Sequence, residues 1–217
     1  VSQTLSVSAH PIQIVGGDWD SDNDTDLAVL LRDNTIVQIW LNGGTGTFSK
    51  QTSTYTVGSL PMGMISGDWN CDGKQDLAVS NSGDNTLSLI YGKGTGEFDT
   101  PVTNRSGRGP GALFAADFDN DSKMDFVVGH HFFVSTNGVS LLTGDFSLTL
   151  SDTSSITGYG SATSFAATTA KDGSAPAAIV ISDVDNDSKL DILITLPLSK
   201  KLAVLSGKLY SGNLSCP

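Results

Sequence analysis

The sequence predicts an all-β fold made of four related units, each a four-stranded antiparallel blade of a β-propeller. Three observations predict it. A nine-residue aspartate-rich loop recurs four times, short apolar runs bounded by turn residues flank each copy, and long helix-forming runs are missing. A single blade cannot bury both of its faces, so such units must stack around an axis, and propeller blades repeat every roughly 40–50 residues.

The loops read DWDSDNDTD from Asp18, DWNCDGKQD from Asp68, DFDNDSKMD from Asp117 and DVDNDSKLD from Asp183, at spacings of 50, 49 and 66 residues. The longer third interval implies an insertion, placed at about 151–170 in a Ser/Thr/Ala-rich stretch. The units then run over 10–58, 59–107, 108–173 and 174–214 of a single domain, 1–217. Similarity between copies extends beyond the loop. Pro11, Pro61, Pro110 and Pro176 each stand seven residues before a first Asp. Leu27, Leu77, Phe126 and Ile192 follow the last one and open the predicted strands LAVLL, LAVS, FVVG and ILITL.

A third strand and a Gly turn follow in TIVQIWLNGGTGTF (35–48) and TLSLIYGKGTGEF (86–98). Units three and four keep that strand in SLLTGDF (140–146) and LAVLSGKLYSG (202–212) but blur the turn. Residues 1–9 hold a further predicted strand, QTLSVS, with no unit before it. One expectation is that it completes the last blade and closes a four-bladed ring. The competing one is that the four units belong to a larger propeller.

Composition narrows the function classes. The formal charge is −11, and of 23 acidic residues all but Glu97 are Asp, which favours turns and cation-binding loops over helix faces. The 12 Lys and Arg are scattered, so no basic patch awaits a phosphate backbone and nucleic acid is not an expected partner. No apolar run approaches the ~20 residues of a membrane-spanning helix. The chain begins at Val1 with neither an initiator Met nor a leader, which leads us to expect a mature secreted protein. Two cysteines, Cys71 and Cys216, allow one bridge or two unlinked thiols, and their number leaves the redox compartment open.

The loop chemistry is that of a hard cation. Carboxylates or an amide oxygen fall at positions one, three, five and nine: Asp18, Asp20, Asp22 and Asp26; Asp68, Asn70, Asp72 and Asp76; Asp117, Asp119, Asp121 and Asp125; Asp183, Asp185, Asp187 and Asp191. Position seven, occupied by Asp24, Lys74, Lys123 and Lys189, is expected to offer its backbone carbonyl. Oxygen ligands in that number suit Ca²⁺ better than Mg²⁺, and no Cys or His recurs to favour zinc or copper. The expectation is up to four Ca²⁺, one per loop. Position six needs a tight turn and holds Asn23, Gly73, Ser122 and Ser188, so the Ser loops depart from the ideal. An EF-hand is excluded, because the bidentate Glu at position twelve is missing and predicted strands flank the loop.

The four D-x-[DN]-x-D-x-x-x-D loops, the preceding prolines, and LNGGTGTF and YGKGTGEF together resemble the FG-GAP or VCBS repeat, found in integrin α subunits and some fungal lectins. The resemblance covers nearly all of residues 10–212. It implies a propeller with structural calcium in hairpin loops at blade edges. The altered turns of units three and four depart from the pattern, and integrin-type propellers have more blades.

Other residues carry weaker signals. His130 and His131 form a pair in GHHFFV without a visible third ligand, and so read as a polar strand edge. Trp19, Trp69 and Phe118 recur at position two of their loops and read as packing residues. Asn104 and Asn213 head triplets suited to N-glycosylation in a eukaryotic secreted chain. No serine-nucleophile elbow, zincin helix or phosphate loop occurs, and a single Glu cannot form a Glu pair, so an enzyme is not expected. The expected function is an extracellular calcium-binding module that recognises a glycan or a protein. The alternatives are a self-assembling surface or fibre component, hence a homo-oligomer, and the propeller domain of a polysaccharide-degrading enzyme.

Overall fold

The structure, a computed structural model, describes residues 3–106, 108–117, 124–130, 139–142, 155–157, 164–166, 178–196 and 200–205. The chain falls into two compact units, Val1–Asn104 and Arg105–Pro217. Every element among the described residues is a β-strand.

The first unit contains two four-stranded antiparallel sheets. Strands β1 (Pro11–Gly17), β2 (Asp26–Leu31), β3 (Ile36–Asn42) and β4 (Phe48–Thr56) lie in sequence order, as do β5 (Pro61–Gly67), β6 (Asp76–Asn81), β7 (Thr86–Ile90) and β8 (Val102–Arg105). The aspartate loop is the connection from first to second strand in each sheet, and the strands stay paired up to it, Gly17 opposite Asp26 and Gly67 opposite Asp76. The second unit has a sheet of β9 (Pro110–Ala116), β10 (Asp125–His130) and β11 (Val139–Leu142), with β10 central. A hairpin of β12 (Ser155–Thr157) and β13 (Ser164–Ala166) lies inside the expected insertion, and β14 (Ile179–Ser182), β15 (Asp191–Leu196) and β16 (Lys201–Leu205) form a further sheet in order.

The recurrent prolines have a backbone reason. Pro11, Pro61 and Pro110 open β1, β5 and β9, and the pairing register shifts just beside each of them. Proline cannot donate to a ladder, so it is tolerated at a strand's first residue or at a bulge, and here it occupies both. Pro176 lies outside the described residues.

Sheet packing follows one rule, counted from the ninth-position Asp. In the first unit, Ala28 and Leu30, two and four residues after Asp26, share a core with Leu77 and Val79, one and three residues after Asp76. Val37, Ile39, Met64 and Ile90 complete that interface. In the second unit, Val127, two residues after Asp125, shares a core with Ile192 and Ile194, one and three residues after Asp191. Alternation of side chains across a strand makes this regular: within each unit, even offsets of the earlier sheet meet odd offsets of the later one. Gln13 ties the first two sheets together by accepting from the Met64 N–H at 2.8 Å and donating to the Met64 carbonyl at 2.7 Å.

The odd-offset face of the first sheet is packed by the N-terminal segment. Leu5, Val7 and Ala9 pack on Val29, Leu31 and Trp40. Gln3 anchors the segment through its side chain, donating to the Phe48 carbonyl and accepting from the Phe48 N–H. The expected N-terminal strand therefore does not form over 3–9: the segment is a strap held by side chains, without a ladder of its own.

Candidate metal centres

Each loop is wound by its own carboxylates. In the first, Asp18 accepts the N–H groups of Asp22 at 3.2 Å and Asn23 at 3.1 Å, and Asp22 accepts the Asp24 N–H at 2.9 Å. The same set recurs in the second loop, where Asp68 accepts from Asp72 and Gly73 and Asp72 accepts from Lys74. It recurs again in the fourth, where Asp183 accepts from Asp187 and Ser188 and Asp187 accepts from Lys189. This winding demands left-handed backbone at two positions rather than one. Position four has φ of 64° at Ser21, 58° at Cys71 and 62° at Asn186, and position six has 69° at Asn23, 83° at Gly73 and 67° at Ser188. Ser188 thus adopts the turn that its residue type was expected to resist.

The curl draws carboxylates together. Oxygens of Asp18, Asp20 and Asp22 lie within 4.8 Å of one another, as do those of Asp183, Asp185 and Asp187. The equivalent trio of the second loop is Asp68, Asn70 and Asp72, with Asp72 N–H donating to both Asp68 and Asn70. Of the third loop, Asp117 and Asp125 are buried, while Asp119, Asp121 and Lys123 lie outside the described residues.

Position nine does a different job. Asp26, Asp76 and Asp191 are fully buried, and each accepts the N–H of the residue at position two, Trp19, Trp69 or Val184, at 2.8–2.9 Å. In the first two loops the other oxygen accepts an N–H from the end of the third strand, Asn42 for Asp26 and Gly92 for Asp76, both at 2.8 Å. This carboxylate is a strut from loop to sheet. A carboxylate has about four lone-pair sites, so two N–H donors leave room for a cation as well.

Position seven separates the loops. Lys74 and Lys189 place their ammonium on the position-five carboxylate, at 3.1 Å from Asp72 and 2.7 Å from Asp187. The first loop carries Asp24 there instead, with its carboxylate against Gly44. Electrostatics follows. Burial, with Asp26 and Asp22 nearby, holds the Asp20 carboxyl above its ordinary value, and burial raises Asp26. Burial pushes Asp76 from 3.8 up to about 6, against the two N–H bonds that lower it. In Asp187 the Lys189 side-chain hydrogen bond lowers the pKa; in Asp72 burial opposes the Lys74 hydrogen bonds, which prevail.

The raised groups give a pH dependence with a definite sign. A carboxyl with a folded pKa above its unfolded value binds its proton more tightly when folded. Its contribution is full below 3.8 and is lost as pH rises through about 6 for Asp76. With calcium chelated, the melting temperature is expected to rise on acidification from neutral pH through that window. A cation held by the loop would compete with those protons and reverse the trend. Thermal melts at stepped pH, with and without chelator, measure both signs.

Around the loops, the aromatic residues at position two are core residues. Trp19 is buried, its ring centroid 6.0 Å from that of Phe98, and Phe98 meets Tyr55 edge-on at 5.2 Å. The Trp is seated over the residue preceding the loop: a Cβ on Gly67 would stand 2.4 Å from the Trp69 ring, so only glycine fits beneath it. Units three and four have smaller Phe118 and Val184 at position two, and carry Ala116 and Ser182 at the preceding position. The second sheet's Gly turn also grips the first loop, with Gly96 N–H donating to the Trp19 carbonyl at 2.7 Å and the Ser21 hydroxyl to the Gly94 carbonyl at 3.3 Å. This contact was not among the sequence expectations, although the G-x-G-x-F spacing shared by 44–48 and 94–98 is its signal.

His130 is a buried strand residue with Nδ1 2.8 Å from the Arg108 carbonyl, to which it donates, and His131 lies outside the described residues. Cys71, at position four of the second loop, is disulfide-bonded, and Cys216 lies outside the described residues, as does Asn213.

A family model described as FG-GAP-like repeat matches residues 18–79 and 68–128, together half of the chain. Among solved structures, the chain is similar to BBS1N in a lead-soaked crystal of its complex with ARL6DN, with 12% identity and a TM-score of 0.53. That likeness covers 92% of this chain and 57% of the other, and it indicates a propeller-like fold. A search of curated proteins returns no match.

Proposed function

Because this chain belongs to the FG-GAP-like repeat family, we propose that it is an extracellular, non-enzymatic recognition module whose aspartate loops take Ca²⁺ as structural ions, up to one per loop. The observation that carries the metal reading is Asp20. Its Oδ1 is buried, has no hydrogen-bond donor, and lies in the group formed with Asp18 and Asp22. An orphaned buried carboxylate oxygen costs several kcal/mol unless a positive charge meets it. Hard oxygen donors on a curled nine-residue loop fit calcium in charge and in flexibility.

Asn70 and the internal Lys74 make the second loop poorer in negative charge than the first, and Lys189 does the same in the fourth. Calorimetric titration of the chelator-treated protein should therefore resolve the first loop as the tightest site. Asp20→Asn is expected to weaken that site at least about tenfold, and Lys74→Gln to strengthen the second by a few-fold, since ligand charge tunes calcium affinity. No calcium uptake by the native chain would refute the reading.

A disulfide at Cys71 supports an oxidising compartment, in keeping with an extracellular role. For the partner, the first unit offers an open groove of about 440 Å³ lined by Ser53, Thr54, Thr56, Thr100 and Glu97. Hydroxyls with one carboxylate suit the hydroxyls of a glycan. A glycan array probed with and without calcium, beside a Glu97→Gln variant, tests it: binding that is lost in the variant supports the groove, and silence on the array removes the glycan.

A further inference from the structure

The first two aspartate loops, both within Val1–Asn104, share one support. The turn that follows β7 bonds the first loop twice, from the Gly96 N–H to the Trp19 carbonyl at 2.7 Å and from the Ser21 hydroxyl to the Gly94 carbonyl at 3.3 Å. Gly94 meets the second loop at the same time: a Cβ built on it would stand 3.3 Å from the Ser21 hydroxyl oxygen and 3.3 Å from Cδ of Lys74. A further contact runs from the second loop to the entrance of the first. The Gln75 side chain lies so near Gly17 that a Cβ there would stand 2.4 Å from its Oε1. Ser66, which precedes Gly67 at the entrance of the second loop, donates its hydroxyl to the Gly16 carbonyl at 3.1 Å. Position four of the first loop and positions seven and eight of the second are thus seated on common residues.

We propose that the first and second loops take up calcium cooperatively, the winding of each holding the other in the shape that receives an ion; this rests on the reading of the loops as calcium sites. Winding is costly, because Ser21, Asn23 and Cys71 are non-glycine residues in the left-handed region. Holding an ion fixes the second loop at the Lys74 backbone carbonyl, its expected position-seven ligand. With Lys74 and Gln75 fixed, Gly94 and Gly17 are held as well. Gly94 then keeps its carbonyl on Ser21, and Gly17 leads straight into Asp18, so the first loop has less freedom left to lose. A site that is already ordered loses less entropy on binding, and two sites linked in this way gain affinity from each other by the same factor. Repulsion between two ions opposes the gain, but Asp22 and Asp72 face water, where charges are screened.

Backbone amide resonances read the two loops separately, since the Asn23 N–H is bound to Asp18 and the Gly73 N–H to Asp68. The test is a calcium titration of the chelator-treated full chain, followed at both amides. Asp20→Asn with Asp22→Asn disables the first loop and is expected to move the Gly73 titration to at least about fivefold higher calcium. Asn70→Ala with Asp72→Asn disables the second and should move the Asn23 titration by the same factor, because coupled binding equilibria are reciprocal. Ser21→Ala with Gln75→Ala changes two exposed side chains and no expected ligand, and should reduce either shift to under about twofold. In that variant alone, whose loops keep every expected ligand, the weaker loop should lose the coupling factor, which keeps the test readable if a disabled loop unfolds the chain. Gly73 titrations that coincide with and without the first loop, or that move to lower calcium without it, overturn the coupling and leave the calcium sites standing. A shift that survives Ser21→Ala with Gln75→Ala overturns it too, because these contacts then do not carry it. Amides that ignore calcium in the parent chain would remove the calcium reading and the coupling together.

Discussion

Chelating calcium is expected to lower the melting temperature by roughly 5–10 °C for each site emptied, since an ion at a hundred times its dissociation constant adds about 2.7 kcal/mol and a chain of this size shifts by about 2–4 °C per kcal/mol. The sign comes from the geometry of the loops. Oxygens of Asp18, Asp20 and Asp22 lie within 4.8 Å of one another, and the Asp20 Oδ1 among them has no donor to offset the crowding. Without a cation, the folded loop keeps that repulsion while the unfolded chain disperses it. Differential scanning calorimetry with chelator and with calcium restored measures the shift, and an unchanged melting temperature would remove the structural role assigned to the ion. Magnesium in place of calcium should restore only part of it, because its octahedral demand suits this flexible donor set less well.

Asp76→Ala should destabilise the first unit by about 3–5 kcal/mol, the range found when a buried, hydrogen-bonded charge network loses a member. The Asp76 carboxylate receives the N–H groups of Trp69 and Gly92, and its removal leaves both donors unpaired in a region closed to water. A control in the same protein is Asp33→Ala, at an exposed carboxylate paired with His10, where the change should stay within about 0.5 kcal/mol. The measurement that separates strut from ligand is denaturant unfolding of Asp76→Ala in chelator. A loss that persists without calcium belongs to the hydrogen bonds. A loss that vanishes there would mean that Asp76 matters only through the ion.

Much of this was legible in the residues because repetition supplies its own control. A lone Asp-rich run is ambiguous, yet four in phase, each preceded by proline and followed by a large apolar residue, place strand, loop and strand by comparison alone. The all-β class and the family follow from that phase, as does the grouping at positions one, three and five. Less could be read where one residue type serves two purposes. Asp at position nine looks like its neighbours in sequence, but it opens the next strand, and burial turns it into a strut for Trp69 and Gly92. Lys74 is read in sequence for its backbone carbonyl alone, and only the curl of the loop shows its ammonium on Asp72. QTLSVS alternates as a strand does, and the periodicity is satisfied, since Leu5, Val7 and Ala9 all face the sheet. Alternation records which side is buried; it does not record whether the backbone finds a ladder partner.

The grip of the second sheet's Gly turn on the first loop bears on how such a chain can be cut and rejoined. Sequence periods invite division at each proline, as though every period were a self-sufficient cassette. Yet the loop that begins at Asp18 is clasped by Gly94 and Gly96, more than seventy positions downstream, and its Trp19 rests on Phe98. The portable module is accordingly staggered across the period: a graft spanning 10–58 would carry a loop without its clasp, whereas one spanning 3–104 would carry both.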